Sequence, residues 1–332
     1  MSWFSSKRPP PTQPHPGPAL PALNGRFQLG VRLGEGGGSV VQEAVDLRTG
    51  NTVAVKLVRL PADLSANQRQ EWAARLHREA ALARRLEHPD IVAVYEAGLQ
   101  GQQAWLAMEK VRGVDLSRYT HPQRQLPENL VLHIGARVAA ALAHAHAQGV
   151  VHRDLKPANV IVNLAAGQVK LADFGVARDA SAALTRTGLS LGTPAYMAPE
   201  QLAGEPANAA SDAYALGVML FELLAGCRPH EADTLGALLQ SMVNGPPATL
   251  GNLRPDLPHS AVDAVQSLLA KKPADRPADL DAWAVHTAAL AAVMTRVMAP
   301  IHPPTCEPAG LGSDAQSASI SPLSTPPPQR PA

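Results

Sequence analysis

The sequence is poor in cysteine, in net charge and in long apolar runs, and each shortage excludes a class of protein. Two cysteines among 332 residues cannot build a disulfide framework, which favours a reducing, cytoplasmic location. The formal net charge is +1, so the overall electrostatics favour neither nucleic acid nor an anionic membrane as a partner. The longest apolar stretches, residues 213–226 and 282–300, contain Glu222 and, in the second, His286 and Arg296. We therefore expect no membrane span and, from the polar first residues, no secretory signal.

Proline marks the two ends of the chain. Residues 1–22 hold seven prolines, and residues 302–332 hold eight prolines with many serines and threonines. Segments of this composition cannot bury enough apolar surface to fold, so we expect residues 1–23 and 301–332 to be disordered. The folded domain is then predicted to cover residues 24–300.

The folded part changes character along its length. Its first part has β-branched or alternating runs typical of strands, together with one helical segment in which Trp72, Leu76, Ala80 and Ala83 recur at spacings of three and four. From Pro127 onward the chain is mainly helical, apart from a short pair of strands. The predicted strands are 26–33, 40–45, 52–58, 92–97, 104–109, 160–162 and 169–171, and the predicted helices include 67–86, 127–149 and 279–298. This order predicts an α+β fold of two lobes, and a cleft between lobes is a common place for a ligand.

A glycine-rich run lies between the first two predicted strands. Its residues are Gly34, Glu35, Gly36, Gly37, Gly38 and Ser39. Against the phosphate-loop pattern G-x-G-x-x-G, the third glycine is replaced by Ser39. The strand–turn–strand setting differs from Rossmann and Walker loops, which lead into a helix, and the glycines would let the backbone approach a phosphate closely. A plain hairpin turn is the alternative that this run by itself leaves open.

The next predicted strand carries Lys56 at the end of a Val-Ala-Val-Lys sequence. Alternation places Ala54 and Lys56 on one face, where the small residue leaves room for a flat base and the ammonium can meet a phosphate. A buried lysine needs an anionic partner, and Glu79 on the following helix is the candidate. Three neighbouring arginines compete for that glutamate, and a surface lysine on a half-buried strand is the alternative, so the residues alone leave the pair open.

The densest cluster of chemically active residues is the stretch 152–159, followed by Asp173 in an Asp-Phe-Gly sequence. Phosphoryl transfer needs positioning, divalent cations and charge neutralisation rather than covalent chemistry from the protein. Asp154 can orient an attacking hydroxyl and accept its proton, and Lys156 can neutralise a transferring phosphoryl group. Asn159 and Asp173 supply oxygen ligands of the kind that Mg²⁺ prefers.

Together these motifs resemble a protein kinase of the eukaryotic-like (Hanks-type) serine/threonine class found in bacteria. The order of the motifs carries the resemblance over roughly residues 25–295. The motifs are Gly-Glu-Gly at 34–36, Val-Ala-Val-Lys at 53–56, the stretch 152–159, Asp-Phe-Gly at 173–175, Ala-Pro-Glu at 198–200, Ser-Asp-Ala-Tyr-Ala-Leu-Gly at 211–217 and Asp-Arg-Pro at 275–277. The resemblance implies a bilobal kinase fold, with a small β-rich N-lobe over about 24–110 that has one regulatory helix and a larger, mainly helical C-lobe over about 111–300.

The resemblance also implies a role for each matching residue. Asp154 would be the catalytic base with Lys156 beside it, and Lys56, paired with Glu79, would hold the α- and β-phosphates of ATP. The residues implied to contact ATP are Leu33, Gly34, Glu35, Gly36, Gly37, Gly38, Ser39, Val41, Ala54, Lys56, Met108 as gatekeeper, Glu109 and Val111 through their backbone, Asp115 and Ile161. The residues implied to bind Mg²⁺, or Mn²⁺ in its place, are Asn159 and Asp173. The residues implied to be structural are Arg153, Asp212 and the buried pair of Glu200 with Arg276.

The segment 176–197, after the Asp-Phe-Gly sequence, is rich in hydroxyl residues. A guanidinium at Arg153 can pair with a phosphate there and order the segment. In similar bacterial kinases a pair of threonines in this place is autophosphorylated, so Thr185 and Thr187 are the predicted activating sites, modified in trans by a transient homodimer. An unmodified, flexible segment is the alternative.

Two other classes of function compete with a protein kinase. A small-molecule phosphotransferase shares the catalytic residues, but it lacks the peptide-docking element that the stretch 192–200 resembles. A pseudokinase scaffold would bind partners without catalysis, and only Ser39 supports it. The residues implied to bind phosphate, metal and the acceptor are all present, namely Lys56, Asp154, Asn159 and Asp173. The expected reaction is transfer of the ATP γ-phosphate to Ser or Thr of protein substrates, with Lys156 favouring these acceptors over Tyr.

Overall fold

The computed structural model describes residues 22–36, 38–174 and 194–298, the last three of them through their backbone alone. Thr185, Thr187 and most of the two terminal segments predicted to be disordered lie outside this range. Leu23 lies at the end of the N-terminal segment predicted to be disordered. It is 5% exposed and packs with Phe27 against one face of the first sheet, and its N–H donates to the carbonyl of Phe27 at 2.9 Å.

The N-lobe is built on a five-stranded antiparallel sheet with the strand order β1-β2-β3-β5-β4. Its strands are β1 Phe27–Gly36, β2 Ser39–Asp46, β3 Thr52–Arg59, β4 Val94–Gln100 and β5 Gln103–Glu109. Helix α1, Ala66–Ala83, begins with a capping box in which Ser65 Oγ accepts from the N–H of Gln68 and the Gln68 side chain accepts from the N–H of Ser65. The predicted strand–turn–strand around the glycine run is confirmed.

The two faces of this sheet bury different sets of side chains. On one face, Trp105 packs with Phe27, Val55 and other apolar residues. The other face packs against α1 through Leu76, Ala80 and Ala83, with Trp72 partly buried at the edge, as the spacing of these residues predicted. Period-two alternation along β3 and β5 therefore separates an outer cluster from the cluster under α1.

The C-lobe consists of helices around a small sheet of order β6-β7-β8. Its elements are β6 Val114–Asp115, α2 Glu128–Ala147, β7 Val160–Asn163, β8 Gln168–Leu171, α3 Pro199–Leu202, α4 Ala209–Ala225, α5 Leu235–Asn244, α6 Leu250–Leu253, α7 His259–Leu268 and α8 Leu280–Met298. Helix α4 starts at an Asn208 cap and ends at Gly226, whose φ of 74° is the left-handed conformation that glycine adopts without strain. The predicted α+β fold of a sheet-rich lobe and a helical lobe is confirmed.

Helix α2 is the one described helix that is long and apolar enough to cross a membrane, with a mean hydropathy of 1.2. It lies in the centre of the C-lobe, where Leu132, Val138 and Leu142 are fully buried against other helices. A helix buried within its own domain passes the same test of length and composition, so the helix is explained as the core of the lobe.

The connection between α1 and β4 differs from its predicted form. The sequence predicted a strand from residue 92, but β4 begins at Val94. The preceding residues pair with the C-lobe instead: the N–H of Val92 donates to the carbonyl of Leu171 at 2.9 Å, and the N–H of Leu171 donates to that of Asp90 at 2.7 Å. The backbone thus links the two lobes at this point.

Candidate active site

Apolar side chains gather in the cleft at the end of the N-lobe sheet. Ala54 on β3, Val92 and Met108 on β5 pack together and are 6%, 6% and 7% exposed. The partly buried residues packed against them are Val41, Val111 and Ala172. Together these residues form a narrow apolar slot of the kind that accepts a flat ring.

The slot holds four of the residues implied to contact ATP, which are Val41, Ala54, Met108 and Val111, together with two that were not predicted. Leu33, by contrast, is 46% exposed on β1, and Ile161 lies on β7 opposite Lys170. The unpredicted members are Val92 and Ala172. Val92 closely follows His-Pro-Asp, and Ala172 precedes Asp-Phe-Gly. Their closeness to these motifs is the one sequence feature that could have indicated that they line the slot.

The chain that leaves β5 is tied to the segment before β4. Glu109 Oε2 accepts from Lys170 Nζ at 2.8 Å and from the N–H of Ala93 at 3.2 Å. The N–H of Glu109 donates to the carbonyl of Ala93 at 2.8 Å, and Lys170 also donates to that of Ile91 at 3.2 Å. The hinge between the lobes is therefore bonded through both the side chain and the backbone of one residue.

Lys56 points into the cleft from β3, on the same face as Ala54. Its Nζ lies 2.7 Å from Asp173 Oδ2, and its side chain is 13% exposed. Burial would raise the pKa of the Asp173 carboxyl, but the Lys56 ammonium outweighs burial and holds that pKa below its ordinary value. Asp173 is therefore ionised at neutral pH.

The predicted pairing of Lys56 with Glu79 is wrong for this structure. Lys56 pairs with Asp173, and Glu79 Oε1 lies 3.3 Å from Arg75 Nε one helical turn away. A partner at i,i+4 is always within reach on a helix, whereas reaching Lys56 depends on how α1 packs against the sheet. Arg75 was not among the arginines predicted to compete for Glu79, which were Arg78, Arg84 and Arg85.

The catalytic loop gathers Asp154, Lys156 and Asn159 around one carboxylate. Lys156 Nζ lies 2.8 Å from Asp154 Oδ2, and Asn159 Nδ2 donates to the backbone carbonyl of Asp154 at 2.7 Å and to Oδ2 at 3.3 Å. The side chain of Asp154 remains about one third exposed, at 33%. A carboxylate held by a cation and an amide, yet open to solvent on one side, is placed to accept a proton from an incoming group.

Asp212, at the start of α4, supports this loop from below. Its two carboxylate oxygens accept from the N–H groups of His152 and Arg153 at 2.8 Å each, and His146 Nε2 lies 2.7 Å from Oδ2. Asp212 is 1% exposed, and Arg153 has a φ of 68°, a conformation that L residues rarely adopt. These bonds hold the backbone that presents Asp154, while the Arg153 side chain stays exposed.

His146 was not predicted to contribute. The sequence spacing placed His144 and His146 on different faces of α2, which argued only against a shared metal site. The structure indeed separates them: the His144 ring contacts the His88 ring in a tilted arrangement, and His146 is bonded to Asp212. The sequence held no signal for this contact, because it joins residues 66 positions apart.

Glu200 and Arg276 form a buried pair in the C-lobe. Arg276 Nη1 and Nη2 donate to Glu200 Oε1 and Oε2 at 2.7 Å and 2.8 Å, and Ser211 Oγ donates to Oε1 at 2.8 Å. Burial would raise the pKa of Glu200, but these donors outweigh burial and lower that pKa. The pair therefore fastens α3, which carries Glu200, to α4 and to the connection between α7 and α8, which carries Arg276.

Asn159 and Asp173 have the chemistry of a divalent-cation site. Because Asn159 Nδ2 is used as a donor to Asp154, its Oδ1 is the atom left for a cation, and Asp173 is ionised. Mg²⁺ is usually held by one or two protein oxygens, and phosphate and water oxygens complete its coordination. Asn159 and Asp173 fit that pattern. Among the described residues, no group of three or more His, Cys, Asp or Glu side chains could hold a metal ion by itself.

The glycine run forms the tip of the β1–β2 hairpin. Gly36 pairs with Ser39 in the register, and Ser39 Oγ donates to the carbonyl of Gly36 at 2.8 Å. Gly38 has a φ of +79°, which favours glycine. Ser39 thus closes the turn with its side chain.

Gly37 and Gly175 lie outside the described residues. Asp115, implied to contact ATP, caps a short turn by accepting from the N–H of Ser117 at 2.9 Å.

The cleft brings two lysines, two carboxylates and an amide together beside an apolar slot, and the sequence assigns the family of the chain. The sequence pattern of the protein kinase domain matches residues 27–288. The chain therefore belongs to the protein kinase family, and the resemblance drawn from its motifs is confirmed.

The chain is similar to several proteins of this family. It is 38% identical over 262 residues to the serine/threonine-protein kinase PknA of Mycobacterium tuberculosis, a match that covers 76% of this chain and 58% of PknA. The kinase domain of PknI from the same organism aligns with a TM-score of 0.63 and 30% identity, over 80% of this chain and 96% of that domain. Rad53, solved in complex with AMP-PNP, aligns with a TM-score of 0.64 and 25% identity, over 79% of this chain and 66% of Rad53. The chain spans between 36% and 58% of the length of the curated relatives that it matches.

Proposed function

We propose that this protein transfers the γ-phosphate of ATP to serine or threonine hydroxyls of proteins. The observation that carries the proposal is the meeting of Lys56–Asp173 with Asp154, Lys156 and Asn159 in one cleft beside an apolar slot. The complex of Rad53 with AMP-PNP, an ATP analogue, supports a nucleotide in the equivalent cleft of this chain.

Each charged residue of the cleft has a task in this reaction. Asp154 orients the acceptor hydroxyl and takes its proton, while Lys156 neutralises charge on the transferring phosphoryl group. Lys56 binds the non-transferred phosphates. Asn159 and Asp173 would hold Mg²⁺, or Mn²⁺ in its place, which supplies charge neutralisation at the phosphate oxygens.

A protein acceptor is favoured over a small molecule by the segment that precedes α3. Tyr196 there donates its hydroxyl to the Glu222 carboxylate on α4, and burial raises the pKa of Glu222. The segment that carries Tyr196 is therefore fastened to α4 of the C-lobe, which supports its proposed role in docking a peptide. The residues 192–193 that complete the predicted docking element lie outside the described range.

Regulation and location are further parts of the proposal. The exposed Arg153 side chain next to Asp154 is available to a phosphate, which supports Thr185 and Thr187 as activating sites modified in trans within a transient homodimer. The low cysteine content supports a cytoplasmic location, and the balanced charge supports protein substrates rather than nucleic acid.

The test is incubation of the purified chain with labelled ATP, Mg²⁺ and a mixture of Ser- and Thr-containing peptides, beside the variants Asp154→Asn and Lys56→Met. We expect the wild type to transfer phosphate and Asp154→Asn to be slower by about 10²- to 10⁴-fold, the usual contribution of a general base. Nucleotide binding should persist in Asp154→Asn. Wild-type binding without transfer would establish a pseudokinase, and equal rates for wild type and Asp154→Asn would refute the assigned base.

A further inference from the structure

Glu43 reaches the nucleotide face of the N-lobe sheet from β2. In the β2–β3 register it pairs directly with Ala54, and Val41 pairs with Lys56. Directly paired residues of antiparallel strands project to the same face, so Glu43 emerges on the face that carries Ala54 and Lys56. Since Ala54 lines the apolar slot, Glu43 stands at the edge of its roof.

Lys110 meets Glu43 from the hinge. It follows Glu109, the last residue of β5, and its Nζ donates to Glu43 Oε2. The side chains of Lys110 and Glu43 are 27% and 30% exposed. A half-buried ion pair thus joins the roof strand β2 to the hinge across the edge of the slot.

The hinge is anchored on its other side as well. Glu109, the neighbour of Lys110, is bonded to Lys170 of the C-lobe and to the N–H of Ala93. Successive residues of an extended segment point to opposite sides, so one residue ties the hinge downward and the next ties it to the roof. With the hinge held, the Glu43–Lys110 pair restrains how far β2 can lift away from it.

We infer that the Glu43–Lys110 ion pair acts as a strap that sets the height of the adenine slot. The inference rests on the proposed function, because it requires adenine to bind between Ala54 and the C-lobe residues below it. The strap is a positioning device and need not touch the nucleotide. Its loss loosens the slot around the base and leaves Asp154, Lys156 and Asn159 of the catalytic loop in place.

Two single neutralising variants and a charge swap test the strap. The variants are Glu43→Gln, Lys110→Met and the charge swap Glu43→Lys with Lys110→Glu. Calorimetry measures the Kd of adenosine and of ATP, and steady-state kinetics with a peptide acceptor measure kcat. A partly exposed ion pair contributes up to about 1 kcal/mol, so we expect each single variant to raise both Kd values about two- to fivefold by the same factor. We expect kcat to change less than about twofold, and the swap to restore both Kd values.

A matched control separates the strap from general surface charge. Asp256 pairs with Arg254 on the C-lobe and is 61% exposed, so Asp256→Asn should leave both Kd values unchanged. Thermal unfolding of every variant shows whether it is folded. Because screening weakens exposed ion pairs, the difference between wild type and the single variants should shrink as salt is raised.

The outcomes distinguish this inference from the proposed function. If the wild type binds ATP but Glu43→Gln and Lys110→Met bind it equally well, the strap is overturned while the proposed function stands. If Glu43→Gln weakens binding and Lys110→Met does not, Glu43 contacts the ligand directly, and the strap is again overturned. If the wild type binds neither adenosine nor ATP, the proposed function fails and the strap fails with it.

Discussion

The two lobes bury their apolar residues in different ways. Among the described residues, the buried apolar side chains of the N-lobe sheet and α1 fall into three clusters, around Trp105, Leu76 and Met108, while Leu86 and Ile91 join the C-lobe cluster. In the C-lobe one continuous cluster extends from Leu116 through α2 and α4 to Ala291 in α8. A continuous close-packed core behaves as one rigid body, whereas small clusters joined by a sheet leave each part freer to move against the others.

The active-site residues follow the same division. The loop that carries Asp154 is bonded through its backbone to Asp212, which is 1% exposed within the continuous core. The N-lobe contributes Lys56, whose ionic partner is Asp173 in the other lobe, and a hairpin tip closed by Ser39. Under the proposed function, the C-lobe sets the geometry of proton and phosphoryl transfer, while the N-lobe sets how the nucleotide is held.

The largest effect on stability should come from breaking the buried pair of the C-lobe. Glu200→Gln leaves the Arg276 guanidinium, whose side chain is 0% exposed, without its counter-charge. An uncompensated buried charge costs about 3–5 kcal/mol, so we expect the free energy of unfolding to fall by that amount at pH 7 in urea denaturation. Glu128→Gln is the control, because its partly exposed pair with Arg254 should cost about 1 kcal/mol or less.

The same variant gives a pH dependence with a definite sign. The folded-state pKa of Glu200 lies below its ordinary value of 4.5, so its stabilisation is complete above that pH and is lost as pH falls through the folded pKa. The difference in free energy of unfolding between wild type and Glu200→Gln should therefore be constant near neutral pH and shrink below about pH 4.5. A difference that grew on acidification would contradict the assigned charge state.

An intermediate loss of stability should follow from adding one methyl group to the core of the C-lobe. A Cβ at Gly217 on α4 would lie 2.7 Å from Leu268 Cβ and 3.1 Å from Leu269 Cδ2 on the facing helix. Overpacking of this kind costs about 1–3 kcal/mol, so Gly217→Ala should lower the free energy of unfolding measured in urea.

Gly34→Ala in the N-lobe should behave in the opposite manner. A Cβ there meets no described atom within 4 Å, so we expect stability to change by less than about 0.5 kcal/mol. The affinity for ATP should fall nevertheless, because the methyl group separates the backbone from the phosphates. If Gly34→Ala destabilised the fold as much as Gly217→Ala, the contrast between the lobes would not hold.

The smallest effect should come from the hydroxyl at the hairpin tip. Ser39→Ala removes the bond from Oγ to the carbonyl of Gly36, and an exposed hydrogen bond contributes about 1 kcal/mol or less. We expect the KM for ATP to rise about two- to threefold with kcat unchanged, and Ser39→Thr, which keeps the hydroxyl, to match the wild type. An effect of Ser39→Ala confined to kcat would show that the hydroxyl acts in transfer rather than in holding the loop.

Local chemistry made much of the site predictable. The alternation of β3 placed Ala54 and Lys56 together, the glycine run formed a hairpin tip, and the order of the motifs identified the catalytic loop. Val92 and Ala172 show the limit, because both pack in the slot although the sequence did not predict them, while the contacts of Leu33 and Ile161 with adenine stay predictions. Whether a side chain faces the slot depends on strand twist and register, which sequence pattern leaves open.

The sequence by itself determined the fold class, the family and the types of residue that meet in the cleft. Periodicity and turn chemistry act over a few residues, and the spacing within 152–159 is local. Only the tertiary structure decided which charges pair. Lys56 bonds to Asp173, 117 positions away, rather than to Glu79, and Glu43 meets Lys110 across 67 positions. The attraction between two charges depends on their distance in space and not on their separation along the chain. The partner of a charge is therefore set by the packing that brings two elements together.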